Sequence, residues 1–584
     1  MIAAGQAIGP GNGESLRADP PSLATPLETG MTAFMAAAAA GVLIYCLWGL
    51  DRGFEITDEA YYLLLAIHPK AATLYISAQQ WLSAPIWHIT GSLAAFRLAG
   101  MALLAGSAML LAQGAIATLG GEGGHAPRPG GRFCIHAGTI VCALLYASTI
   151  NLSPCYNLLV SAAANTAAGL FMLAMKTGKG LRATALLALT GLALGCACVC
   201  KLSSGVATLA LLLVWMSALQ GVSAIFAKNA LVVFAAMLVC IAGLISVWSS
   251  WTELTYAVSH GLNLFKMVQS ETILSRIFRY ATEFGAEAGQ AAGTFWPAML
   301  GAGLYLRTRR PAFAAICFAA LALGLISGDS YLGGADRHAP QIRAALSIYA
   351  LVLLVRVPAW VRVRRIVCLV AGLSLLPYAV AFGSGNSIFT QVIDSLAPWG
   401  AVAGLLSQAQ GINRTDRLMA LGLHTVLIAI LSAQILTSGF RAPYHLAKPL
   451  IGQTHRVSIG VLGSVRVDRR TVEFIAALEA AAAVCNIKAG APFLGLYNIP
   501  GVALVLGTVP PETPWLNNLA QAESIFELVP QAKLDKAVVA VNLQAGGSNP
   551  PLPRPIQMLD EKYHVCGEAV FPFANQTIRI LAPK

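Results

Sequence analysis

Long apolar runs broken by short polar stretches fill the chain up to about residue 440, after which the pattern changes character. A bilayer core takes roughly 20 residues of helix to cross. Read against that length, the runs predict about thirteen spans. They lie near 31–50, 97–119, 133–150, 156–175, 182–200, 203–219, 229–249, 292–306, 311–327, 344–356, 366–383, 397–411 and 418–438. Residues 440–584 are more polar and mix strand-like runs (PFLGLY, VALVLGTV, KAVVAVNL) with helix-like ones (TVEFIAALEAAAAVC, LNNLAQAESIFELV). That mixture predicts a small α/β domain. Residues 1–30 are rich in Pro, Gly and Ser and lack the positive start and short apolar core of a cleaved signal, so a flexible leader is expected there. The fold class is therefore an α-helical polytopic membrane protein, with a membrane domain over 31–439 and a C-terminal α/β domain over 440–584.

Composition narrows the function classes. The chain is 57% hydrophobic and 11% charged, whereas soluble chains carry about 25% charged residues; a soluble enzyme and a disordered protein are both excluded. The net charge of +12 would suit nucleic acid only if the basic residues formed a patch. Instead they punctuate the apolar runs, at Lys176, Lys179, Arg182, Lys228, Arg307, Arg309, Arg310 and Arg417 among others, and no nucleic-acid partner is expected. Cytoplasmic loops carry excess Lys and Arg, which predicts a cytoplasmic N-terminus. With an odd number of spans the C-terminal domain lies outside.

Acidic residues sort the other way. Outside the leader and before residue 440, Asp51, Glu55, Asp58, Glu59, Glu253, Glu271, Glu283, Glu287, Asp329, Asp336 and Asp394 fall on the outer side, and only Glu122 and Asp416 on the inner. None falls inside a predicted span, where carboxylates mark ion pathways. The chemistry is expected at the outer face.

The outer loop over 51–96 is far longer than an ordinary connection. In it, Thr57 precedes Asp58, Glu59 and AYYLLLA, which reads as an N-cap followed by an acidic first helical turn. In the functional reading, Asp58 beside Tyr61 and Tyr62 is a general base whose pKa is raised by a low-dielectric setting. The DEAYYL motif after the first span, the later APIWHITG segment and Arg97 opening the second span resemble the GT-C glycosyltransferases, closest in pattern to bacterial relatives of the protein mannosyltransferases and to the lipid A aminoarabinose transferase. The run GLALGCACVCKLSSGV is similar to their Gly-rich fifth span, ending here in Lys201. The resemblance covers residues 31 to about 390. It implies an integral membrane enzyme that uses a polyprenyl-phosphate-linked sugar.

One departure matters. Many relatives have an acidic residue in the second outer loop, where this chain reads NLSPCYNLLVS, with Asn151, Tyr156 and Asn157 as the polar groups. Transfer without a metal or other cofactor is expected. A polyprenyl phosphate leaves readily, so the reaction needs a base on the acceptor and cations on the phosphate. Asp58 is the candidate base, with inversion at the anomeric centre, and Glu59 a group that orients it or binds sugar hydroxyls. Lys201, Arg337, His338 and Arg343 are the candidate phosphate ligands, Arg for its fixed fork of donors; snorkelling explains Lys201 equally. Tyr61, Tyr62, Tyr156, Asn157 and Asn386 are candidate substrate contacts. Leu262, Phe265 and Val268 suggest a helix lying on the membrane within 251–291.

No nucleotide-binding GxxxxGK[ST] loop occurs, so a lipid-linked donor is favoured over a nucleotide sugar. The acceptor is a lipid, glycan or protein at the outer face of the plasma, or bacterial inner, membrane. The alternatives are a multi-pass transporter or flippase, for which no internal repeat is visible, and a non-catalytic envelope-assembly subunit. Cys485 and Cys566 are the only cysteines of the outer domain and are either bridged or two buried thiols. The other ten, including Cys196, Cys198 and Cys200, belong to packing in or beside spans.

Overall fold

A computed structural model describes residues 25–119, 127, 129–149, 151–268, 271–327, 338–356, 363–408, 414–543, 562–573 and 575–584. The membrane part begins with α1 (Pro26–Gly49), then two short loop helices, α2 (Asp58–Ile67) and α3 (Gln80–Thr90). The next helices are α4 (Leu93–Leu119), α5 (Pro129–Leu144), α6 (Tyr156–Thr177), α7 (Leu181–Cys200), α8 (Leu202–Gln220) and α9 (Ala224–Trp248). They are followed by α10 (Trp251–Val268), α11 (Ile273–Thr308), α12 (Pro311–Ser327), α13 (His338–Arg356), α14 (Arg364–Ala381), α15 (Ile388–Gln391), α16 (Ala397–Gln408) and α17 (Arg414–Arg441). Among the described residues, 10 helices are long and apolar enough to cross a membrane.

The remaining three expected spans take other forms. The run at 292–306 is the end of α11, a single helix of 36 residues; its first half carries Arg276, Arg279 and Glu283 on turns that continue straight into the apolar part. Helix α12 has 17 residues, and α16 has 12, nearly all buried among neighbours. A helix is present over the expected stretch as α10, which exposes Trp251, Tyr256 and Leu262 and buries Leu264 against the C-terminal part. At the N-terminus α1 already includes residues 26–30, because Thr25 and Glu28 form a reciprocal capping box with Pro at the first turn. The rest of the expected leader, 1–24, lies outside the described residues.

The C-terminal part opens with an antiparallel hairpin, β1 (His455–Ile459) with β2 (Gly463–Val467), followed by α18 (Arg469–Val484). Strand β3 (Phe493–Leu496) leads into α19 (Gly501–Leu506), α20 (Leu519–Leu528) and α21 (Gln531–Leu534). Strands β4 (Val538–Asn542), β5 (Tyr563–Phe571) and β6 (Gln576–Pro583) complete a four-stranded sheet of order β3-β4-β6-β5, in which β3 and β4 are parallel and the other pairs antiparallel. The expected strand VALVLGTV is instead α19. It starts at Pro500 and stops at Gly507 in the left-handed region, and so short an apolar run carries no period to separate strand from helix. Cys485 and Cys566 are joined by a disulfide.

This part shares its core with the first loop. Phe54, Ile56, Ala60, Leu63 and Leu64, with Trp87 and Phe96, bury against Val465, Phe474, Val502, Phe571 and Ile578. Backbone bonds stitch the two together: Gly53 N–H to Arg466 O at 2.8 Å, Thr73 N–H to Glu512 O at 2.8 Å and Gly501 N–H to Ile56 O at 2.8 Å. A Cβ on Gly501 would stand 2.5 Å from Ile56 Cγ2, so only glycine permits that approach.

Candidate active site

Helix α2 presents Asp58 because its start is tied down on three sides. Thr57 does not cap it, contrary to expectation. The capping acceptor is Glu55, fully buried, which receives Thr57 N–H at 2.7 Å, Glu59 N–H at 2.6 Å and the Thr57 hydroxyl. The Thr57 hydroxyl also meets His445 Nδ1 at 3.0 Å, and that imidazole lies 3.5 Å from Glu55. An anion at a helix start is favoured by the exposed N–H groups and the dipole, which is why Glu55 can be buried there.

Glu59 faces the opposite way. It is 0% exposed and paired with Arg97, itself 2% exposed. Arg97 Nε and Nη2 donate at 2.7 and 2.6 Å. Asn151 Nδ2 and Ser153 Oγ add donors at 2.8 and 2.6 Å. The remaining Arg97 donors go to the carbonyls of Leu50, Arg52 and Gly53 at 2.9, 3.0 and 2.8 Å. Every lone pair and donor in this pair has a partner, which is what a buried ion pair requires. Glu59 is thus a fastening between α2, α4 and the loop before α6, with its oxygens already occupied.

Asp58 remains half-buried and accepts a hydrogen bond from the Tyr444 hydroxyl. Burial and the Glu55 charge push its carboxyl up to about 6, against the opposing pull of Tyr444 and His445. Aromatic rings enclose it. Tyr61 meets Tyr62 at 5.3 Å and Trp515 at 4.7 Å, Tyr62 meets Tyr156 at 5.8 Å, and Tyr444 stacks on His445 at 3.8 Å, which in turn meets Phe573 at 5.0 Å. Three of these rings, Tyr444, Trp515 and Phe573, and the His445 imidazole come from beyond the last span.

A second carboxylate stands nearby. Asp394 is buried in the turn after α15, accepts from Thr149 Oγ1 at 3.3 Å and from the Gln391 amide, and is pushed up to about 6 by burial against the pull of Lys201. Tyr156 lies within electrostatic reach of both Asp58 and Asp394. Lys201 occupies the joint between α7 and α8, with Nζ 3.4 Å from the carbonyls of Val380 and Ala381. Asn386 donates to Gln391 Oε1 at 3.1 Å, which links it to Asp394 through that amide. The start of α11 straps the same loop: Arg276 reaches Gly383 O at 3.4 Å and Arg279 reaches Gly385 O at 3.2 Å.

The other expected residues are more scattered. Arg343 is engaged by Glu287 at 3.2 Å and by Gln290, so its charge is already answered by α11. His338 opens α13, Asn157 sits half-buried in the first turn of α6, and Arg337 lies outside the described residues. Sequence reading missed Tyr444, His445, Trp515 and Phe573, because nothing local marks residues that reach the site only through the fold of the tail. It also missed Gln79, Gln80 and Ser83 of the α3 start, whose buried side-chain polar atoms have no hydrogen-bond partner; the adjoining Ala78 and Ser77 bond to Val199 O and Cys200 O at 3.0 and 2.5 Å, next to Lys201. Among the described residues the one cluster with metal-like spacing is Cys485, His564 and Cys566, and its two thiols are spent on the disulfide.

No protein-family model and no curated protein matches this chain. Among solved structures, an oligosaccharyltransferase of Archaeoglobus fulgidus complexed with zinc and sulfate is similar at 11% identity, over 88% of this chain and 68% of that one, with a TM-score of 0.46. The transferase ArnT from Cupriavidus metallidurans bound to undecaprenyl phosphate is similar at 15% identity over 94% and 98%, with a TM-score of 0.45. Arabinosyltransferase EmbB from Mycobacterium smegmatis is similar at 14% identity over 72% and 42%, with a TM-score of 0.31.

Proposed function

We propose that this protein is a membrane glycosyltransferase that moves a sugar from a polyprenyl-phosphate donor to an acceptor hydroxyl at the outer face of the plasma membrane. The observation that carries the reading is Asp58: a half-buried carboxylate, held near pKa 6 at the start of a rigidly tied helix and ringed by aromatic side chains. A base with that pKa is ionised at neutral pH yet basic enough to take a hydroxyl proton as the bond to the sugar forms. Attack from the side of Asp58 displaces the phosphate from the other face, which inverts the anomeric carbon.

The phosphate needs a cation in a low-dielectric setting. Lys201 fits that need: burial lowers its ammonium to about 8 against the opposing pull of the Asp394 charge, and its Nζ lies 3.4 Å from the carbonyls of Val380 and Ala381. Rings stack on the apolar faces of pyranoses, and Tyr61, Tyr62, Tyr156 and Trp515 offer such faces. The donor class rests on the resemblance of DEAYYL, APIWHITG, Arg97 and the Lys201 segment to the GT-C enzymes, and the outer location on the charge pattern, with the disulfide in the tail in keeping with an oxidising compartment. The reaction as proposed uses no metal, so a chelator leaves it unchanged.

The test is transfer of labelled sugar from polyprenyl-phosphate donors to extracted envelope fractions, in membranes with and without the protein. Label appearing only with the protein supports the reading. No transfer from any such donor by folded protein would refute it.

A further inference from the structure

Helix α3 begins with a turn whose polar groups are sealed in and unanswered. Gln79, Gln80 and Ser83 are 1%, 0% and 1% exposed. Among the described residues, neither amide atom of either glutamine nor the Ser83 hydroxyl has a hydrogen-bond partner. Gln79 has helical backbone, and its carbonyl accepts from Ser83 N–H at 2.9 Å. The three side chains, spaced at three and four residues, therefore leave the helix on one face. Trp81 lies on the other side, buried with Tyr75, with Ile245 of α9 and with Ala257 of α10. The polar face continues into Trp87, which buries with Leu63 and Leu64 of α2 and Phe96 of α4, so it is turned toward the helix that carries Asp58. The same turn is pinned beside Lys201: Ala78 N–H donates to Val199 O at 3.0 Å and Ser77 Oγ to Cys200 O at 2.5 Å.

Most buried polar side-chain atoms are paired, because an unpaired one has given up water for nothing. Methionine and alanine would fill these positions at less cost, so packing does not account for five such atoms on one turn. Their chemistry narrows what answers them. Each amide offers a carbonyl acceptor and an N–H donor group, and the serine hydroxyl does both. A phosphate or carboxylate only accepts and would leave the amide carbonyls unanswered, and an ammonium only donates and would leave the N–H groups so. A sugar hydroxyl donates and accepts at one oxygen, and neighbouring hydroxyls repeat that pattern along the ring.

We infer that this face of α3 binds the hydroxyls of the sugar on the lipid-linked donor, and that this sugar is uncharged. The inference rests on the glycosyltransferase reading and adds a substrate class to it: Lys201 meets the phosphate, and Gln79, Gln80 and Ser83 are the specificity-determining groups for the ring attached to it. The five atoms are closed to solvent, so the sugar enters by parting this turn from its neighbours. That parting breaks no side-chain hydrogen bond of the three residues.

The test uses the purified full-length protein in neutral detergent with undecaprenyl phosphate, bare or bearing glucose, mannose, arabinose or glucuronic acid. Dissociation constants are read by native mass spectrometry and unliganded unfolding midpoints by thermal denaturation. Wild type is expected to bind at least one neutral-sugar donor about ten- to a hundredfold more tightly than the bare lipid, the range for buried polar groups that gain partners, and the glucuronic acid donor no more tightly than the bare lipid. The triple variant Gln79→Met, Gln80→Met, Ser83→Ala is expected to bind bare and glycosylated lipid alike. Its midpoint is expected to stay or rise, since apolar groups of similar shape replace unpaired polar ones. Asn165→Leu, which removes an equally buried and partnerless amide from the middle of α6, keeps the wild-type preference. Should the triple variant fold poorly, Gln80→Met alone is expected to lower the preference about fivefold or more. A variant that keeps the preference would overturn the inference, and so would one whose midpoint falls with the preference intact, the sign that ordered water serves these side chains. Wild type that favours the glucuronic acid donor, or no donor over the bare lipid, would overturn it too. Transfer of labelled sugar by the same wild-type preparation separates the two levels: where transfer persists, only this inference falls, whereas neither transfer nor binding of any donor takes the glycosyltransferase reading with it.

Discussion

Asp58 was legible as a candidate because an acidic pair next to AYYLLLA is unusual beside a span; its surroundings were not, because Tyr444 lies 386 residues from Asp58 and His445 lies 388 residues from Thr57 in sequence. The same limit hid the difference between Asp58 and Glu59. Adjacent in sequence, they are separated by one helical step, which turns one toward the aromatic rings and the other into a complete set of donors around Arg97. Two predictions belong to this scale. The folded pKa of Asp58, about 6, lies above its ordinary value of 3.8, so the native state binds its proton more tightly than the unfolded chain does and this group adds stability as pH falls toward that value. A neutral Asp58→Asn is therefore expected to leave the unfolding midpoint unchanged or raise it, measured on solubilised protein. For transfer the sign is opposite: only the carboxylate accepts a proton, so the rate is expected to fall about tenfold per pH unit below about 6, read from a pH profile of initial rates. A profile flat down to pH 5 would remove Asp58 from the role.

At the scale of elements, the runs were read from apolar length alone; their order survived in the helices, but ten of the thirteen expected spans are, among the described residues, long and apolar enough to cross. What failed were the short or composite pieces. VALVLGTV has too few residues to show a period, and β5 and β6 were overlooked because β5 mixes buried and exposed positions around a register shift at Val565 and Gly567. The second half of the 251–291 stretch merged with a span because nothing breaks the helix between Ile273 and Thr308; Pro297 sits inside it. The fastening of the first loop to α4 yields a sharp expectation. Arg97→Ala leaves the Glu59 carboxylate buried without its partner, and is expected to cost about 3–5 kcal/mol, seen as a large fall in unfolding midpoint. In the tail, replacing both Cys485 and Cys566 by Ser is expected to cost about 2–5 kcal/mol. Limited proteolysis should then cut the tail before the helices.

For the molecule as a whole, alternation of the helices brings the first loop, Lys201, the strap at the start of α11, the Asp394 turn and the tail to one face, while Lys176, Lys179, Arg364 and Arg365 collect at the other. The charge pattern in the sequence foretold that sorting, since lysines and arginines favour the cytoplasmic side. It could not foretell that the tail shares a core with the first loop, because that contact joins segments about 400 residues apart. The orientation is open to direct labelling. In intact cells an impermeant thiol reagent is expected to modify Arg469→Cys, on the exposed tail, and to spare Lys179→Cys; the reverse pattern would turn the molecule over. The central claim, that Asp58 drives sugar transfer, is tested most directly by comparing wild type and Asp58→Asn, at matched expression, for transfer of labelled sugar from a polyprenyl-phosphate donor. The account predicts a loss of about 10²–10⁴-fold in the variant, the usual contribution of a positioned base, with its fold intact. Equal transfer by the two proteins would contradict it.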